Sequence, residues 1–82
     1  MPLSKDEFLE SLTKLLTVIE DEHNFEQEPL NHRERVLLSA FANTALNLGY
    51  NNIRNHIKKA LSTNDAASQE IVLFSGIDPG VV

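Results

Sequence analysis

The chain has 82 residues, no cysteine and a formal net charge of -5, which allows one small domain without disulfide staples. Leu, Ile, Val and Phe supply 26 of the 82 residues, well above the roughly one-fifth below which chains tend to stay disordered, so the sequence is expected to fold. No stretch approaches the roughly 18 uninterrupted apolar residues of a membrane span, and the N-terminus lacks the apolar core of a signal peptide; the expectation is a soluble, cytoplasmic protein made without a cleaved leader.

The first helix is announced by Ser4 followed by Glu7, a capping-box pair, with Leu3 and Phe8 at the positions of a hydrophobic staple. Phe8, Leu9, Leu12, Leu15, Leu16 and Ile19 then share one face, and the helix should span about 4–22. Glu20, Asp21 and Glu22 crowd its negative end, where acids are unfavourable. Residues 23–30 read as a connection, since Pro29 disfavours helix at Glu28, and Phe25 is expected to return to the core. Asn31 with Glu34 repeats the capping signal and starts a second helix over about 32–48, stopped by Gly49.

The apolar residues of this second helix are spread widely. Leu37, Leu38, Phe41, Ala45 and Leu48 form one arc, Val36, Ala42 and Leu46 fall outside it, and Arg35, Ser39, Asn43 and Asn47 leave a narrow polar stripe. Such girth predicts a central helix touched from more than one side. A third helix, about 51–62, carries Ile53, Ile57, Ala60 and Leu61 on one face. Ser62 to Asp65 breaks it with N-cap chemistry. A short fourth helix, about 65–75, is expected to turn Ala67, Ile71 and Phe74 inward and to end at Gly76, because the β-like run Ile71 to Phe74 has no second strand to pair with. The tail, 76–82, is apolar and contains a turn. It is expected to strap across the apolar surface, the alternative being a peptide offered to a partner. The fold class is thus all-α, a small antiparallel helical bundle of three long helices plus a short fourth.

Charge divides by segment. Residues 1–30 hold eight acids against two bases, net -6; residues 31–63 hold five bases against Glu34, net +4; the remainder is -3. The simplest expectation is that the acidic first segment and the basic middle lie side by side and partly neutralise each other.

Catalytic signatures are sparse. No cysteine nucleophile, glycine-rich phosphate loop or serine elbow is present, so no catalytic residue, cofactor or metal is assigned and the chain is not expected to be an enzyme. A metal set of Glu22, His23, Glu26 and Glu28 is the strongest exception, outweighed by a solvated acidic loop. Glu10-Ser11-Leu12 is a poor acyl-carrier serine, being mid-helix with Leu12 facing inward. A helix-turn-helix, suggested by Ala45 and Gly49, fails because the inward positions of the next helix would fall on Asn55 and Lys58. Membrane-surface binding by the first helix is disfavoured by its acidic polar face.

Protein recognition or self-association remains. A domain this small buries only about 60 to 65% of its unfolded-chain surface, so a partner is a natural supplement. The surplus apolar girth of the second helix makes Leu38, Ala42 and Leu46 the candidate partner-binding residues. Nucleic-acid binding through Arg54, Lys58 and Lys59 is the alternative, weakened by the net charge and by the favourable place of lysines in a last helical turn.

The run Ser4-Lys5-Asp6-Glu7-Phe8-Leu9 with Gly49-Tyr50-Asn51-Asn52-Ile53-Arg54, in a short acidic cysteine-free chain, resembles the small helical secretion activators called PAS factor. The chain is also similar in size and class to the helical bacteriocin immunity proteins. The first resemblance implies a helical bundle with a non-enzymatic part in protein export and no catalytic residues to carry over.

Overall fold

The first helix begins where the Ser4 hydroxyl accepts the Glu7 N–H at 3.2 Å. In the computed structural model, which describes residues 4–75, it runs Lys5–Glu22 as α1, followed by α2 (His32–Leu48), α3 (Asn51–Ser62) and α4 (Ala66–Phe74). Among the described residues there is no strand, so Ile71 to Phe74 is helical. The staple position Leu3, the stop Gly76 and the 76–82 tail lie outside the described residues.

Several boundaries have a local cause. Asn31 and Glu34 close a reciprocal capping box at the start of α2, with bonds of 2.9 Å in both directions. Gly49 ends α2 in the left-handed conformation at φ 87°. The Tyr50 N–H then reaches back to Ala45 O at 2.8 Å and the Gly49 N–H to Leu46 O at 3.1 Å, the paired bonds of a Schellman motif. The resulting sharp turn starts α3 two residues on. Asp65 caps α4 by accepting the Ser68 N–H at 3.0 Å and the Ser68 hydroxyl at 2.9 Å.

The core draws on every element. α1 buries Phe8, Leu12, Leu16 and Ile19, α3 buries Ile53, Ile57 and Ala60, and the connection adds Phe25 and Leu30. Near the start of α1, Phe8 meets Phe41 at 5.8 Å and Tyr50 at 5.6 Å between ring centroids, while Phe25 meets the α4 residue Phe74 edge-on at 5.8 Å. The backbones of α2 and α3 approach closely, as do those of α3 and α4. The buried alanines of α2 and α3, Ala42, Ala45 and Ala60, suit that approach because they hold little volume between the axes.

Two helix faces differ from the sequence expectation. In α2 the buried stripe is Leu38, Ala42 and Ala45, and Leu37, expected inside, is exposed. The face is turned toward Arg35, whose Nε and Nη1 donate to Leu30 O at 3.0 Å and Leu61 O at 2.9 Å and so tie that edge of α2 to the end of α3. In α4, Gln69 and Leu73 are buried, whereas Ala67 and Ile71 are exposed and Phe74 is half-buried. A nine-residue helix that is apolar around most of its circumference does not select a face by hydrophobicity. The hydrogen bonds of Gln69 select it.

Candidate functional site

Side chains of α1 and the start of α2 line a groove of about 160 Å³. Leu15, Val18 and Ile19 line it from α1 and Leu37 from α2, with Glu22 on one side and Arg33 and Glu34 on the other. Val18 and Leu37 remain 50% and 39% exposed. The volume falls below the roughly 300 to 1,000 Å³ of pockets that enclose small ligands.

The wall of the groove is held by an ionisable pair. His23, the residue after α1, places Nδ1 2.8 Å from Glu34 Oε1, with the two side chains only 3% and 14% exposed. Its Nε2 lies 2.8 Å from Glu28 O. The connection is folded to permit this: the Asn24 side chain accepts the Glu26 N–H at 3.0 Å, and Asn24 O accepts the N–H groups of Gln27 and Glu28 at 3.1 and 3.2 Å. The turn brings the Glu28 carbonyl back to the ring. Phe25 packs on the same imidazole at 4.3 Å between centroids. Sequence spacing pairs His23 with no carboxylate, since Glu34 lies on another helix and the Glu28 contact is to its backbone.

Gln69 is the second feature that the sequence pattern misses. It is fully buried, accepts the Leu30 N–H at 2.7 Å, and donates from Nε2 to Ala60 O at 3.0 Å and Thr63 O at 3.2 Å. One amide thereby joins the connection, the end of α3 and α4.

The expected partner-binding residues separate. Leu38 and Ala42 are 0% and 4% exposed and belong to the core, because the turned face of α2 carries them inward; Leu46 stays 48% exposed. Of the three, Leu46 alone is open to solvent, as are Val18 and Leu37, which line the groove. Of the alternative nucleic-acid set, Lys58 and Lys59 are exposed and Arg54 is half-buried, with its guanidinium donating to Asn55 Oδ1 at 3.1 Å. Among the described residues no group of three His, Cys, Asp or Glu side chains is placed to hold a metal ion. Glu22, Glu26 and Glu28 point outward and His23 is engaged at both nitrogens.

Among the described residues no direct ion pair joins an acid of residues 4–30 to a lysine or arginine of residues 31–63. The ion pairs are Lys14 with Glu10, within α1, and His23 with Glu34; Lys5, Arg33, Lys58 and Lys59 have no carboxylate partner there. No helix among the described residues is long and apolar enough to cross a membrane. No protein family, curated protein or solved structure matches the chain.

Proposed function

We propose that the protein is a non-enzymatic interaction module, an antiparallel helical bundle that associates with a second copy of itself through the α1–α2 groove. The observation that carries this reading is the pairing of exposed Val18 and Leu37 across a groove too small for a cofactor. Glu22 and Arg33 on facing sides of the groove, unpaired among the described residues, support the choice of occupant. Under a twofold rotation α1 of one copy lies against α2 of the other, so that Glu22 meets the Arg33 of the second copy, and Arg33 has no carboxylate partner within its own described residues. The antiparallel arrangement is supported by contacts at both ends: Phe8, early in α1, meets Phe41, late in α2, and His23, after α1, meets Glu34 in the first turn of α2.

The test is mass in solution as a function of concentration. Light scattering across the micromolar to millimolar range should show a monomer–dimer equilibrium that Leu37→Asp shifts to monomer without loss of helix content. A strict monomer throughout, with no protein recovered alongside it under mild purification, refutes the reading. The competing nucleic-acid reading rests on exposed Lys58 and Lys59 with Arg54. It predicts salt-dependent binding to DNA or RNA that charge reversal of the three abolishes. A part in protein export, following the PAS factor resemblance, is compatible with either dimer or monomer and is tested by export of reporter proteins in cells lacking the gene.

A further inference from the structure

We propose that His23 is a proton-dependent latch, whose doubly protonated ring clamps the connection after α1 onto the first turn of α2. Both ring nitrogens face acceptors. Nε2 meets a backbone carbonyl, Glu28 O, which has no proton to give, and Nδ1 meets Glu34 Oε1. That same carboxylate oxygen accepts the Asn31 N–H at 2.9 Å, which marks it as an acceptor. A neutral imidazole carries one N–H and one lone pair. Whichever tautomer it takes, a lone pair would face an oxygen at 2.8 Å. The imidazolium, with two N–H groups, satisfies both contacts.

The surroundings favour the same charge. His23 caps the negative end of α1, directly after Glu20, Asp21 and Glu22. From α2 the group facing it is Glu34; in the connection Glu26 and Glu28 carry exposed carboxylates; α4 reaches the ring's neighbour Phe25 through uncharged Phe74. Among the described residues no cationic side chain pairs with Glu34 besides His23. The acids crowded at the end of α1, unfavourable by themselves, thus stand beside a positive ring.

Loss of the proton acts on three things at once. One of the two clamping bonds is given up, the Glu34 carboxylate is left nearly buried beside its capping box, and the connection that delivers Phe25 and Leu30 to the core is loosened. The clamp needs both ring N–H groups, so it is complete where the imidazole is protonated, at the acid side of histidine's range of about pH 5 to 8, and one bond is given up toward its alkaline side.

Two measurements test the latch independently of the groove. Nitrogen-15 spectra of the folded protein at pH 5.5 should show both His23 ring nitrogens carrying protons, distinct from exposed His32 and from His56. Chemical unfolding should give a folding equilibrium constant about tenfold larger at pH 5.5 than at pH 8, the scale of one charge-assisted hydrogen bond. In Glu34→Gln, which keeps a capping-box side chain at that position, the difference should shrink severalfold while helix content is retained. A neutral His23 tautomer at pH 5.5 overturns the proposal. So does a Glu34→Gln protein with the pH dependence of the original; if that variant does not fold, the nitrogen spectrum decides alone. A monomer with an intact latch leaves the proposal standing and removes the dimer reading, and the reverse result separates them in the other direction.

Discussion

Gln69 shows how one side chain can fix what hydrophobicity leaves open. Its amide uses both N–H groups and one oxygen lone pair on backbone groups of two other segments. Replacing it with Leu keeps the volume roughly constant and orphans the Leu30 N–H, whose residue is 3% exposed. An unsatisfied buried donor costs about 1–3 kcal/mol. Q69L is therefore expected to lower the unfolding free energy by about that amount, read from the urea midpoint. If the variant matches the parent protein, the amide is not the organiser of α4. Arg35 acts in the same way on the other side of Leu30, accepting no role in charge pairing and spending its donors on Leu30 O and Leu61 O. As the cation nearest the end of α3 in these contacts, it also meets the negative pole of that helix.

At the scale of the element, the helices are set by their ends. Gly49 is the hinge of the α2–α3 turn, and an added Cβ there would meet no atom within 4 Å. The cost of Gly49→Ala is then purely conformational, about 1 kcal/mol for an L-residue held left-handed, and should appear as a lower melting temperature. α4 is nine residues long and depends on Asp65. The Ser68 backbone N–H, and after it the Ser68 hydroxyl, hold the Asp65 carboxyl below its ordinary value of 3.8. A depressed carboxyl contributes stability above its unfolded value and loses it as pH falls through the folded one. The protection of the α4 amides relative to their intrinsic exchange rates should accordingly fall in acid below the ordinary carboxylate range, and in Asp65→Ala it should be low at neutral pH as well. Slow exchange in that variant at pH 7 would show that packing of Leu73 and Gln69 holds α4 without its cap.

The whole molecule combines a small core with a polar surface whose charges are sorted by segment and sparsely paired among the described residues. Under the dimer reading, the pairing is completed between copies. Arg33→Glu should weaken association about tenfold, the double change with Glu22→Arg should restore it, and the parent dimer should loosen with added salt. Sedimentation at two ionic strengths distinguishes this from a purely apolar contact, for which neither salt nor the charge swap would matter.

Sequence alone indicated the four helices, and several of their boundaries are written in a few adjacent residues: Ser4 and Glu7, Asn31 and Glu34, Gly49, Asp65. It also identified the buried faces of α1 and α3, where apolar residues recur at one helical period with polar residues opposite. Tertiary structure decided the faces of α2 and α4, the core placement of Leu38 and Ala42, and the pairing of His23 with Glu34. The first two share a physical reason, and the third joins the residue after α1 to one on α2. A helix that is apolar most of the way round has no preferred inward side, so distant hydrogen bonds from Arg35 and Gln69 choose it, and those bonds join residues as far apart as Leu30 and Gln69, which no local pattern connects.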